Sequence, residues 1–107
     1  MKDLPEPIAK YVKANAALDL EGMLAPFAED AIVLDDGGCH AGRDQLRAWI
    51  QSATIDNAAV FTPSAWRRDG ASVVVDGVIR GSFKGSPIKL TFRFGLSENV
   101  IARLEIR

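Results

Sequence analysis

From residue 58 onward the chain reads as sheet, with runs rich in Val, Ile, Phe and Trp separated by short polar turns and a clear alternation of apolar and polar residues over Leu90 to Ser97. No other feature constrains the fold as strongly, because a period of two is the signature of strands that bury one face. The pattern predicts strands over 58–67, 71–83, 88–96 and 100–106. They are separated by Arg68-Asp69-Gly70, Lys84-Gly85-Ser86-Pro87 and Ser97-Glu98-Asn99, spacings that suit an antiparallel meander. Leu90, Phe92, Phe94 and Leu96 share one face, with Thr91, Arg93, Gly95 and Ser97 on the other. Gly77 and Gly81, inside the longest predicted strand, point to a bulge or sharp coil that curls the sheet.

The first half has a helical period. Pro5 and Pro7 precede Ile8, Tyr11, Val12, Asn15 and Leu18, which places Ile8, Tyr11, Val12 and Leu18 near one face. Asp19 is an N-cap for a second helix carrying Leu20, Met23, Leu24 and Phe27, and Pro26 should end that helix early. A strand follows over 31–35, then Asp36-Gly37-Gly38 as a turn. A third helix opens after Gly42, with Leu46, Trp49, Ile50 and Ala53 at i, i+3, i+4 and i+7. Helices first and a meander last make an α+β domain over 1–107: a cone-shaped, curled antiparallel sheet with about three helices covering its concave face. Such a cone leaves a cavity at its open end, where chemistry should be sought.

Composition narrows the function classes. The 107 residues suit one domain, which buries roughly two-thirds of the surface its unfolded chain exposes. With 48% hydrophobic and 25% charged residues, disorder is not expected. The net charge of −1, with Lys and Arg scattered from Lys2 to Arg107, offers no footprint for nucleic acid. Met1-Lys2-Asp3-Leu4-Pro5 lacks the apolar run of a signal peptide, and no stretch reaches membrane-spanning length, so a cytoplasmic protein is expected. The single Cys39 can form no internal disulfide. One His, one Cys and adjacent acids do not supply the ligands of a zinc site, and there is no phosphate-cradling glycine motif or nucleophile elbow. Neither a metal nor an organic cofactor is expected.

Two runs carry a resemblance. Phe27-Ala28-Glu29-Asp30-Ala31-Ile32-Val33-Leu34-Asp35, followed by Gly42-Arg43 opening a helix, resembles the signature of SnoaL-like and ketosteroid isomerase-like proteins. Gly85-Ser86-Pro87, Leu90-Thr91-Phe92-Arg93-Phe94 and Ile101-Ala102-Arg103-Leu104-Glu105-Ile106 are similar to a short bacterial branch of this nuclear transport factor 2-like superfamily. The resemblance covers nearly the whole chain. It implies the cone fold, which hosts isomerases, dehydratases, hydrolases and non-enzymes alike.

The resemblance places Asp35 where ketosteroid isomerases hold their proton-abstracting carboxylate. Burial destabilises a carboxylate anion and so makes it a stronger base. The plainer alternative is an Asp that ends a strand and starts the turn. Asp36 must point to the opposite face from Asp35, so only one of the pair enters the cavity. The spacing from Tyr11 to Asp35 matches the family's oxyanion-donating Tyr, and a neutral phenol remains a donor at neutral pH. Its alternative is a core Tyr whose hydroxyl reaches the surface. The second oxyanion donor of the isomerases, an acid, falls on Phe94, which has no proton to give. His40 lies in the loop after Asp35, either as a proton shuttle oriented by that carboxylate, loosely as in the superfamily's dehydratases, or as a solvated loop histidine. Epoxide hydrolases of this fold use an Asp-Arg-Asp set, of which Asp76 and Arg80 give only a faint echo. They read better as a solvated charge pair.

Met23, Phe27, Trp49, Trp66, Phe92 and Phe94 supply the bulk for a core and for the lining of a cavity. The expected partner is a small apolar or amphipathic molecule. If the protein is an enzyme, it is an isomerase or lyase abstracting a proton from a small apolar carbonyl compound. The alternative from another class is a non-catalytic ligand-binding or dimerisation module. A homodimer is expected in either case, through a convex sheet face exposing apolar residues among Arg93, Arg103 and Glu105.

Overall fold

In the computed structural model, which describes residues 3–107, proline and aspartate set the N-terminal helices as their chemistry dictates. Helix α1 (Glu6–Ala16) starts with Pro7 inside its first turn, where a missing N–H costs nothing. Helix α2 (Leu20–Leu24) begins at Asp19, whose carboxylate accepts the Gly22 N–H at 3.1 Å, and stops before Pro26. Strand β1 (Phe27–Asp35) is longer than the expected 31–35. Its pairing shifts register between Phe27 and Ile32, so the exposed Glu29 and Asp30 fall where the alternation is broken.

A tight turn at Asp36 and Gly37 leads into a short strand β2 (Gly38–Ala41), which the sequence places in a loop. Gly-Cys-His-Ala carries no alternation of its own, and pairing with β1 supplies the order. Helix α3 (Gly42–Ile50) follows, buries Leu46, Trp49 and Ile50, and runs into a π turn over Gln51–Ile55. Then come β3 (Val60–Asp69), β4 (Ser72–Arg80), β5 (Ile88–Ser97) and β6 (Val100–Ile106).

The strands form one curled sheet in the order β2-β1-β6-β5-β4-β3. The meander β3 to β6 is antiparallel as expected, but β1 lies parallel to β6, so the sheet is mixed. Nothing local could announce this, because the partners are far apart in the chain. The expected bulge exists, but in β3 between Pro63 and Ala65, opposite Gly77. A Cβ at Gly77 would press on the Thr62 carbonyl and the Phe61 ring. Strand β4 ends at Arg80, short of the expected 83, because the chain turns there. The Gly81 N–H donates to Ser86 Oγ at 3.0 Å and the Ser82 N–H to the Asn57 carbonyl at 2.6 Å.

The concave face buries Val33, Val73, Val75, Phe92, Phe94 and Leu104 against Ile8, Met23, Leu46 and Ile50 of the helices. The convex face is laced with charge. Arg93 donates to Asp69 at 2.7 Å, Arg67 approaches Asp76 at 3.8 Å, and Arg107 bonds to Glu105. The apolar residues that alternate with Arg93 and Arg103 turn inward, and Ile88 is the only exposed large hydrophobic side chain among the described residues. No helix among those residues is long and apolar enough to cross a membrane.

Candidate functional site

At the open end of the cone, side chains from both helical and sheet layers enclose a chamber of about 60 Å³. Tyr11 and Asn15 reach it from α1, Asp35 from the end of β1, Trp49 from α3 and Thr54 from the π turn. Phe61, Ile79, Leu90, Phe92 and Ile106 close it from the sheet. Outside it lies a wider vestibule of about 620 Å³ that shares Asp35, Ala53, Ile79, Leu90 and Ile106 as walls.

Asp35 faces this space because it sits in register on β1 with the buried Val33 and Ala31. Asp36 is exposed, in a left-handed turn conformation (φ 50°). The Trp49 indole N–H donates to Asp35 Oδ2 at 2.9 Å, which fixes the carboxylate and leaves Oδ1 unbonded among the described residues. Tyr11 is 3% exposed and wedged edge-on between Phe27 and Phe94, with ring centroids 5.7 and 5.8 Å away. Burial first, and the nearby Asp35 charge second, push its phenol pKa well above the ordinary value of 10.0. Among the described residues no buried side-chain polar atom lacks a hydrogen-bond partner, and none of these residues bonds to the Tyr11 or Thr54 hydroxyl. Both hydroxyls therefore open onto free space rather than being sealed in the core.

Asn15 is the buried clamp of the site. Its amide donates to the Ala59 carbonyl at 2.8 Å and accepts the Phe61 N–H at 2.7 Å, which ties α1 to the start of β3. Asn15, Thr54 and Phe61 are lining residues that sequence reasoning did not single out. Asn15 carried a signal, a polar residue on the apolar stripe of a helix. Thr54 carried none, because the π turn that aims it has no sequence mark.

Of the aromatic and methionine residues expected to line a cavity, Trp49 and Phe92 do so. Met23, Phe27 and Phe94 are fully packed in the core and do not reach the chamber. Trp66 is half-buried on β3, packed against the core and outside the chamber. His40, on β2, is not in the chamber either. Its ring lies 6.1 Å from that of Trp49, the indole that holds Asp35. Asp76 is bonded by the Thr91 hydroxyl at 2.7 Å and faced by Arg67, so its charge partner is Arg67 rather than Arg80. Cys39 is exposed, and no cluster of three His, Cys, Asp or Glu side chains suited to a metal occurs among the described residues.

The sequence profile of the SnoaL-like domain family matches residues 8–104. The chain belongs to the SnoaL-like family. A Sinorhizobium meliloti protein assigned as a polyketide cyclase is 34% identical, with 98% of this chain and 96% of that one covered and a TM-score of 0.92. A Catenulispora acidiphila protein of ketosteroid isomerase-like fold, solved with trimethylamine, is 20% identical over 98% and 86% of the two chains, with a TM-score of 0.83. The epoxide hydrolase/cyclase-like enzyme SalBIII, with a role in forming the pyran ring of salinomycin, is 20% identical over 94% and 86%, also with a TM-score of 0.83. These last two likenesses establish fold alone. No curated protein matched the chain in sequence.

The SnoaL-like Gly42-Arg43 pair has a physical reason here. Gly42 turns at φ 83°, a conformation that costs a residue with a Cβ, and so starts α3. Arg43 then donates to the Leu24 and Phe27 carbonyls at 3.4 and 3.1 Å, capping the end of α2 and fixing the start of β1. The motif thus builds the frame that carries Asp35 and Trp49 to the chamber.

Proposed function

We propose that this SnoaL-like protein binds a small, largely apolar carbonyl compound and moves the proton on the carbon next to the carbonyl. The observation that carries the reading is that the Asp35 carboxylate, held by Trp49 through one oxygen, and the Tyr11 phenol line one chamber with apolar walls. Asp35 Oδ1 takes the proton as the C–H bond breaks. The electron pair of that bond becomes the enolate, whose oxygen accepts a hydrogen bond from Tyr11. Return of the proton to the same or a conjugated carbon completes an isomerisation, and expulsion of a β-leaving group completes a lyase reaction. The raised Tyr11 pKa keeps the phenol protonated, hence a donor, across the physiological range. His40 lies outside the chamber and is given no step. Likeness to a protein assigned to polyketide cyclisation supports a carbonyl-bearing substrate.

The test is deuterium incorporation at the α-carbon of simple ketones in heavy water, followed by NMR. The protein should accelerate exchange, Asp35→Asn should lower the rate by about 10² or more, and Tyr11→Phe by about 10²-fold. Asn at position 35 still accepts the Trp49 N–H, so the fold and ligand binding are retained. An unchanged rate in Asp35→Asn would remove the carboxylate from the mechanism and leave a ligand-binding module.

A further inference from the structure

The two adjoining spaces differ about tenfold in size, and that difference speaks to the substrate's shape. The chamber of about 60 Å³ is well under half the roughly 150 Å³ of an engineered apolar cavity that takes a benzene ring. A carbonyl and one carbon beside it fit. A carbonyl flanked on both sides by ring or branched carbons does not. The chamber walls are not free to give way: Phe61 stacks on Phe92 at 4.0 Å, Trp49 is tied to Asp35, and Asn15 locks α1 to β3.

The vestibule, at about 620 Å³, is the size of an ordinary small-molecule site. Ile79, Phe83, Ile88, Leu90 and Ile106 give it one apolar wall, with Asp36, Asn57 and Arg107 at its edges. Ile88, 39% exposed and the only exposed large hydrophobic among the described residues, is one of its walls. Ile88 is continuous with the apolar wall of Ile79 and Leu90, so an apolar chain lying on that wall would cover it as well. From these two compartments, and building on the proton-transfer reading above, we infer that the substrate is narrow-headed. It carries a terminal carbonyl, as in an aldehyde or methyl ketone, at the end of an apolar chain. The carbonyl enters the chamber between Asp35 and Tyr11, and the chain lies along Ile79, Ile88 and Leu90.

Methyl ketones of increasing chain length, and ring ketones substituted on both sides of the carbonyl, separate this inference from the reading it rests on. With the methyl ketones, kcat/KM for α-deuteration should rise about fourfold for each added methylene until the vestibule is filled. The flanked ring ketones should show no exchange above background. In Ile88→Asp, which alters a solvent-accessible position and so spares the core, the gain per methylene should fall towards unity. A rate independent of chain length, or ring ketones exchanged as fast as methyl ketones, would overturn the narrow-head inference while leaving Asp35 as the base. If no ketone exchanges at all, the proton-transfer reading fails, and titration of tryptophan fluorescence with the same compounds decides the shape. Affinity rising with chain length would support it, and flat affinity would overturn it.

Discussion

Tyr11 is the chain's single tyrosine, so tyrosinate absorbance in the near ultraviolet reports on this one hydroxyl. In the unfolded chain it should ionise near pH 10, and in the folded protein distinctly higher, because burial and then Asp35 oppose the phenolate. The unfolded state therefore loses its proton first as pH rises. The stability tied to Tyr11 is complete below about pH 10 and is lost as pH climbs above it towards the folded value. Urea titrations should show stability falling above pH 10 in the native protein and a flatter profile in Tyr11→Phe. Asp35→Asn should move the absorbance titration of folded Tyr11 to lower pH, since it removes one of the two causes. No such movement would mean that the carboxylate and phenol do not share a field. At this scale the places of Asp35 and Tyr11 on one chamber were legible, through the spacing that the SnoaL-like signature sets between a helix tyrosine and a strand carboxylate. Thr54 and Phe61 were not legible. Their place depends on a π turn and on the pairing of β3 with β4, neither of which is written locally.

The elements are joined to one another by a few buried polar contacts, and these set how firmly the chamber is held. Asn15 satisfies the carbonyl of buried Ala59 and the N–H of buried Phe61, at the entry to β3. Asn15→Leu preserves helix propensity and bulk but leaves both backbone groups without partners, at about 1–3 kcal/mol each. The urea midpoint should drop accordingly, and amide hydrogen exchange at Phe61 should speed up more than at Phe94 in β5. Equal acceleration at both sites would mean a global loss rather than release of the α1–β3 clamp. Helix ends were legible from Asp19, Pro26 and Gly42, and the strands of the meander from their apolar runs between polar turns. Strand β2 was hidden because four residues with no apolar pattern become a strand only once β1 is beside them. The bulge was read from Gly77 but sits on the facing strand, since glycine marks where a neighbouring backbone presses close.

For the molecule as a whole, the charged convex face governs how copies could meet. A homodimer through that face, the expected assembly, would set Arg67, Arg93 and Arg103 of one copy against Asp69, Asp76 and Glu105 of the other rather than bury apolar surface. Sedimentation velocity should then show association weakening as salt is raised from about 0.1 M to 1 M, where the screening length falls from about 10 to 3 Å. Association that persists or strengthens in salt would place the contact elsewhere, with the apolar mouth near Ile88 the first surface to consider. The cone itself was legible, but the parallel seam between β1 and β6 was not, and that seam has a kinetic side. Strand β6 lies between β1 and β5, so the earliest strand of the chain has no central neighbour until the latest has been made. A growing polypeptide must carry β1 and its paired β2 as an unfinished hairpin through most of its synthesis, with Val33 and Ala31 still in water. Refolding from denaturant should accordingly take milliseconds to seconds, as in chains dominated by distant contacts, not microseconds. A ribosome-bound chain halted before residue 100 should be digested readily by protease at β1, while one released with β6 in place should resist.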